Sequence, residues 1–471
     1  MSAVLESAGP AADPAASRRL MPVLFIGVFM AALDTAVIAP AIPALRESFG
    51  LDNRAVGLVM IVFILCSLSS TALLANLGDR YGRRPVYLGS IALFALGSLV
   101  IALSPSFWMI IVGRAIQGVG GGGIIPTASA VIGDALPPKE RGRALGLIGA
   151  TYGMAFVLGP PMAALVMVTL SWQWIFLANL PIAAAVLYLG ARVLPVQRAA
   201  GVLPPLDWRG IVLVFLLLSS LVLGITRVAD GYTGALHWPG FLALAALLLP
   251  LLVHVERQAE RRAERPMIPL SLFANRQLVT TYLLTLGAGF GMGSVIFLTS
   301  IATLAYGVAR AHAGFVLLPL VVCSMLGSTG SGRLLNRLGA RRVIMAGFAL
   351  LALGYGASAF TGFGLWGFLV ATMPVGLGVG VVVGGALRTI AIDEAPLAVR
   401  GAAQGLINIF TSIGTLLSAT AIGALADFAG GGASGFGLAY ATVAAAMLVM
   451  LAITLMLRRD GAALGSASAV S

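Results

Sequence analysis

The sequence predicts an all-α integral membrane protein in which two six-helix units of the same orientation flank an inserted pair of helices, about fourteen spans in all. Three observations predict it. Of 471 residues, 59% are hydrophobic and only 10% are charged, far from the usage of water-soluble globular domains. The apolar residues gather into segments of roughly twenty residues, the length that crosses a bilayer as one helix. Two loop patterns also recur at nearly one offset in the two halves of the chain, as parallel repeats require.

In order, the apolar segments run from about 21 to 45, 55 to 77, 86 to 103, 107 to 133, 144 to 168, 173 to 195, 209 to 226, 236 to 256, 277 to 304, 311 to 331, 343 to 361, 364 to 392, 402 to 427 and 436 to 457. This partition puts 23 of the 29 basic residues on one side. Four fall on the other (Arg46, Arg54, Arg227, Arg310) and two within spans (Arg114, Arg388). Short loops on the cytoplasmic side retain Lys and Arg, so both termini are expected in the cytoplasm and the protein in the plasma (inner) membrane. Residues 1–20 read as a tail and not a cleavable signal, because Glu6 and Asp13 are present and no basic n-region precedes a short apolar core. Residues 459–471 read as a second tail. The net charge of +12 is then orientation and not a nucleic-acid footprint, since it is scattered over loops instead of collected on one face.

The repeat is explicit. Asp134-x-x-Pro137-x-x-x-Arg141-Gly142-x-x-x-Gly146-Leu147 recurs as Asp393-x-x-Pro396-x-x-x-Arg400-Gly401-x-x-x-Gly405-Leu406, an offset of 259; Asp79-Arg80-x-Gly82-x-Arg84 recurs as Asn336-Arg337-x-Gly339-x-Arg341, an offset of 257. Residues 21–200 and 277–458 are the two units, with the inserted pair and a cytoplasmic linker at 201–276. A pair of such units places a binding cavity at the midplane between them.

Asp34 is a carboxylate inside the first span, a position tolerated where it faces a bundle interior or a wet cavity. Arg114 lies in the fourth. Each is about seven to nine residues from the outer end of its span, so at 1.5 Å per residue they share a depth of roughly 10 to 14 Å. Facing one another, they would form a carboxylate whose proton affinity depends on conformation; a static structural pair is the alternative. By the repeat offset Asp34 maps near Met292 and Arg114 near Met373, which puts proton chemistry in the first unit and apolar substrate contact in the second. Met and aromatic side chains adapt to varied apolar ligands. Phe290, Met292, Phe297 and Met373 are therefore cavity candidates, joined by Met30, Gln117 and Tyr152 of the first unit. Core packing would look the same for any one of them. Arg388 near Asp393 and Glu394 is expected to snorkel or pair locally.

Read together, these stretches resemble the major facilitator superfamily over nearly the whole chain, and specifically its fourteen-helix drug:proton antiporter family. Leu77-Gly78-Asp79-Arg80-Tyr81-Gly82-Arg83-Arg84 resembles its loop motif between the second and third helices. Leu33-Asp34-Thr35 to Pro43 is similar to the first-helix signature, and Ser171-Trp172-Gln173-Trp174 through Asn179-Leu180-Pro181 and Asp207-Trp208-Arg209-Gly210 are similar to stretches before the sixth and seventh spans. Gly153 through Gly159-Pro160-Pro161 resembles the antiporter motif, with Ala163 and Ala164 in place of its closing glycines; Arg114 followed by Gln117-Gly118 resembles the fourth-helix motif. The resemblance implies a proton-coupled multidrug exporter working by alternating access. It implies Asp34 and Arg114 in proton coupling, and Asp79, Arg80, Gly82, Arg83, Arg84 and Arg141 as a conformational gate. A carboxylate at that loop end has two natural partners, a helix N-terminus or an arginine across the interface such as Arg141 or Arg143.

An enzyme is not expected, because no nucleophile–base set, phosphate loop or metal cluster is present. No cofactor and no metal are expected either. Cys66 and Cys323 lie in apolar segments, and His237, His254 and His312 at segment ends. The expected partners are a lipophilic substrate, protons and the bilayer, with no nucleic acid, for a monomer. An exporter or facilitator of one endogenous metabolite or lipid is the alternative function; a non-transporting sensor is the remote one.

Overall fold

The computed structural model describes residues 14–50, 53–196, 207–229, 238–262, 266, 268–308, 315–360, 362, 364–430 and 432–458. Among them every regular element is a helix: α1 (Pro14–Phe49), α2 (Asn53–Tyr81), α3 (Arg83–Ala102), α4 (Phe107–Ala135), α5 (Pro138–Thr169), α6 (Gln173–Leu177), α7 (Asn179–Val193), α8 (Trp208–Ala229), α9 (Trp238–Arg261), α10 (Ser271–Ala274), α11 (Arg276–Ser294), α12 (Leu298–Tyr306), α13 (Leu318–Leu338), α14 (Ala340–Ser358), α15 (Gly364–Val381), α16 (Leu387–Glu394), α17 (Arg400–Phe428) and α18 (Gly432–Ile453). With every backbone group bonded inside its own segment, helices suit a medium that offers no water.

Thirteen stretches among the described residues are long and apolar enough to cross a bilayer. The expected segment 144–168 lies within α5, a 32-residue helix that carries its charges, Lys139, Glu140, Arg141 and Arg143, in the first turns before that segment. Two boundaries differ from expectation. Helix α1 begins at Pro14, inside what reads as a tail, because Pro is preorganised for a first helical turn and Ala15 and Ala16 are strong helix formers. The segment 364–392 is not one regular helix: a five-residue π-helical turn, Val382–Ala386, joins α15 to α16.

The turn glycines of the repeat are explained by backbone geometry. Gly82 precedes α3 with φ +98° and Gly339 precedes α14 with φ +81°, a region costly for residues bearing a Cβ. In α4 the glycines serve a different purpose, close approach: a Cβ on Gly120 would stand 2.6 Å from the Ser90 carbonyl of α3, and one on Gly122 would stand 2.2 Å from the Ser67 carbonyl of α2. Small residues let backbones approach where lipid gives no hydrophobic drive. Helix α4 is thereby wedged between α2 and α3, and α1 packs on α5 and α7.

The second bundle repeats this plan with α15 packed on α13 and α14, and α11 on α17. Each bundle has its own core, Leu24, Tyr87 and Phe94 among the buried residues of the first, and Phe348, Tyr355 and Tyr440 among those of the second. The inserted helices α8 and α9 pack on each other and, through Val214, Leu218, Val222 and Leu252, against Leu68 and Ala72 of α2 and Ile409 of α17. They bridge the two bundles at one flank.

Candidate functional site

Helix α1 carries Asp34 inward, toward α3, α4 and α7, and there it meets a complete set of donors. Arg114 Nη1 of α4 lies 2.8 Å from Oδ2; Gln117 Nε2, one turn further along α4, donates to Oδ1 at 2.7 Å, and Asn179 Nδ2 at the start of α7 donates to the same oxygen at 3.0 Å. Asp34 and Arg114 are each 1% exposed. The pair predicted from shared depth is in contact and sealed.

Second partners fix each donor. Arg114 also donates from Nε to the Val59 carbonyl at 3.2 Å and from Nη1 to Gln117 Oε1 at 2.6 Å, while its guanidinium lies over the Phe63 ring at 4.4 Å. Ser98 of α3 accepts from Gln117 Nε2 at 2.9 Å and from Asn179 Nδ2 at 3.2 Å, and donates to the Phe94 carbonyl at 3.0 Å. Five side chains from four helices thus form one closed polar network. Removing one partner of a buried ion pair costs about 3–5 kcal/mol because the other charge is left uncompensated, so each member of the network depends on the others, and the carboxyl they surround is shut off from water.

Asn179 and Ser98 are site residues the sequence reading missed. Asn179 stands in a stretch already singled out for its resemblance, and a lone amide at the start of an apolar helix was a usable signal. A serine inside α3 carried none.

The cavity candidates separate. Met30 is fully buried in the core of the first bundle, packed against neighbouring helices. Gln117 is fully buried too and belongs to the charge network. On α11 and the short 3-10 turn that follows, Phe290, Met292 and Phe297 are half-buried, with Phe290 and Phe297 packed on the core of the second bundle and Phe297 against Phe436 at 6.3 Å between ring centroids. Met373 of α15 is 38% exposed. The side chains of Tyr152, Gly153 and Pro160 lie outside the described residues. Gly159 is buried, and a Cβ there would stand 2.6 Å from Ala36 Cβ of α1, so α5 needs glycine to reach the helix that carries Asp34.

Where Asp34 has its network, the second bundle has tyrosines. Tyr355 and Tyr440 stack with centroids 5.6 Å apart and donate to the carbonyls of Gly291 and Ser294, where α11 gives way to the 3-10 turn. The Ser294 hydroxyl lies 2.7 Å from that of Ser418. These groups hold a break in a helix without any charge.

At the end of the bundles where α2 turns into α3, Asp79 crosses from the first repeat to the second. It accepts the backbone N–H of Gly401 at 3.1 Å and that of Ala402 at 3.3 Å, at the N-terminus of α17, where the helix dipole favours an anion. Arg83 bonds Asp79 and, from Nε, Asp134 at 3.2 Å; Asp134 lies 3.7 Å from Arg400 of the second repeat. Gly401 is glycine because a Cβ there would lie 2.6 Å from both Arg83 Nη1 and Asp79 Oδ1. Arg141, expected as a partner for Asp79, instead reaches Asp393 of the other repeat at 3.2 Å and the Leu136 carbonyl at 2.9 Å. Arg84 donates to the Ala191 carbonyl of α7, and Arg80 lies over Tyr81 at 5.2 Å.

Arg388 is neither snorkelling nor held only by its helix neighbours. It is 7% exposed, and Gln404 of α17 approaches its guanidinium at 3.4 Å while donating to its carbonyl at 3.0 Å. A fully buried glutamine one helix away was invisible to a reading along the chain.

Residues 24–419 match the model of the Major Facilitator Superfamily. An uncharacterized MFS-type transporter of Bacillus subtilis (strain 168), YfiU, is 34% identical over 408 residues, covering 84% of this chain and 77% of its own. The tetracenomycin C resistance and export protein of Streptomyces glaucescens is 30% identical over 433 residues, with 89% and 79% covered. Among solved structures, the human organic anion transporter MFSD10 (TETRAN) matches with a TM-score of 0.69 at 18% identity over 94% of this chain and 100% of that one, a likeness of fold.

Proposed function

This chain belongs to the Major Facilitator Superfamily and is a multi-pass membrane transporter, not an enzyme, and from that premise we propose that it is a drug:proton antiporter of the fourteen-helix kind. It exports lipophilic compounds, neutral or monovalent cationic, across the plasma membrane, with both termini in the cytoplasm. The single observation that carries this reading is the sealed Asp34–Arg114 pair. A carboxylate at membrane depth that only stabilised the fold would be replaceable by apolar packing at little cost. One that carries protons has to be enclosed in one state and open in another.

Asp34 is the proton carrier and Arg114 its counter-ion. The units 21–200 and 277–458 rock about the midplane, with the inserted pair and linker at 201–276 riding on their flank. The Asp79–Gly401 and Arg141–Asp393 contacts act as a latch that closes the cytoplasmic end, with Arg80, Gly82, Arg83 and Arg84 shaping its loop and the Gly153–Gly159–Pro160 stretch of α5 supplying the bend. Phe290, Met292, Phe297 and Met373 offer an adaptable apolar surface for substrate. With one carboxylate available, a divalent cation would be left half-neutralised, which is costly at membrane depth. Transport needs substrate, protons and the bilayer, and the protein acts as a monomer.

A second reading, export of one particular compound, is favoured by the relative whose printed name ties it to tetracenomycin C. One assay separates the two. In everted membrane vesicles bearing the protein, an imposed proton gradient should drive uptake of several unrelated lipophilic dyes, and a protonophore should abolish it. Uptake of one compound alone would favour the dedicated exporter, and uptake indifferent to the gradient would overturn antiport.

A further inference from the structure

Every partner of the Asp34 carboxylate presents a donor: Arg114 Nη1, Gln117 Nε2 and Asn179 Nδ2. That set satisfies an ionised carboxylate, which only accepts. A protonated carboxyl carries an O–H and needs an acceptor in the same enclosed space, where an unmade hydrogen bond is expensive. The three partners differ in whether they can supply one.

Arg114 has no acceptor. Gln117 has one, but its Oε1 already receives Arg114 Nη1 at 2.6 Å; turning its amide over would set Nε2 against the guanidinium, donor facing donor. Asn179 is free of that constraint. Its Nδ2 contacts Asp34 Oδ1 and Ser98 Oγ, and a hydroxyl rotates to suit its neighbour. If the Asn179 amide turns over, its Oδ1 accepts the Asp34 O–H, and Ser98 swings its proton from the Phe94 carbonyl to the same oxygen.

We propose that Asn179 reads the protonation state of Asp34, its amide donating to the ionised carboxylate and turning over to accept from the protonated one. The proposal rests on the reading of Asp34 as the proton carrier and adds a positioning residue to it. Arg114 is the charged group facing Asp34; the described charged side chains of α2, α3, α5 and α7 stand near their helix ends. Asn179 also opens α7 directly after α6, whose flank is tied to α1 by Trp172 Nε1 donating to Ser48 Oγ at 3.1 Å. The segment that senses the proton is therefore attached twice to the helix that carries it.

Infrared difference spectra of the reconstituted protein between high and low pH, with asparagine isotopically labelled in its side-chain amide, test this directly. Wild type should show a protonated-carboxyl band absent from the folded pair Asp34→Asn/Arg114→Gln, together with a labelled amide C=O band that moves to lower frequency on protonation. In Asn179→Leu the carboxyl band should remain but move to higher frequency, its O–H having lost an acceptor, and the amide change should vanish. Asn179→Thr, whose hydroxyl both donates and accepts, should return the carboxyl band toward its wild-type frequency. A carboxyl band that depends on Asp34 alongside an unchanged amide band, or one indifferent to Asn179→Leu, overturns the proposal. Absence of any band dependent on Asp34 overturns the proton-carrier reading and the proposal with it.

Discussion

The carboxylate of Asp79, in the first repeat, accepts the backbone N–H of Gly401, in the second. One side chain thereby caps a helix that belongs to the other bundle, and capping of this kind is worth about 0.5–2 kcal/mol. Asp79→Asn keeps the shape and one acceptor but loses the charge. It should shift the balance away from the state in which this end is latched by about fivefold, for about 1 kcal/mol lost. Distances between spin labels on the two bundles should report the shift, with substrate affinity within about twofold of wild type. A large loss of affinity with unchanged distances would place Asp79 in the binding site instead.

Asp34→Asn should abolish proton-driven transport and remove the proton release that substrate binding induces in weak buffer. A ligand that favours the deprotonated form must by linkage expel a proton. The structure adds a cost that the sequence did not reveal: Arg114 would be left as a buried cation without its counter-ion, at about 3–5 kcal/mol.

Thermal unfolding of the Asp34→Asn, Arg114→Gln and doubly substituted proteins should therefore be strongly non-additive. The double variant should be more stable than either single one and still inactive in proton-coupled transport. Additive losses would mean that the two residues do not hold each other in the folded protein.

Gly149→Ala should prise the bundles apart. A Cβ at Gly149 of α5 would stand 2.3 Å from the Cα of Gly384 in the π-helical turn, and backbone cannot step aside as a side chain tip does. The expected result is slower transport and faster labelling of a cysteine placed at Ser328. Unchanged labelling would show that the contact is not maintained in the membrane.

For orientation, single cysteines at Ser7 and Ala263, both outside the described residues, should be shielded from an impermeant thiol reagent in intact cells when all other cysteines are removed. Labelling of either would reverse the proposed topology.

Much of this architecture was legible along the chain, because span length, loop charge and an internal repeat are properties of sequence order. The Asp34–Arg114 contact was legible for the same reason, since rise per residue turns position in a span into depth. What stayed hidden were relations between helices. Ser98 looks like any small residue in α3, and Gln404 becomes informative only once α17 lies beside Arg388. The partner of Asp79 was half legible: a helix N-terminus was foreseen as one of two options, but backbone amides carry no letter of their own. Met30, four positions from Asp34, shares its face of α1, yet that face passes from polar network to packed core within one turn, a change that no letter in the sequence marks.

The π-helical turn at Val382–Ala386 leaves a trace in how the two repeats align. Their offset is 257 at the Asp79 loop and 259 at the Asp134 loop, so the second copy is two residues longer in between. Helix α4 has 29 residues, while its counterpart, Gly364–Glu394, has 31. In an unbroken α-helix each added residue would swing all that follows by about 100°, since a turn takes 3.6 residues. A single π turn takes up one such residue locally, half of the difference between the two copies. The looped-out turn thus removes about half of the rotation that two extra residues would impose on the stretch bearing Arg388 and Asp393, and it marks one place where the duplicated copies differ in length.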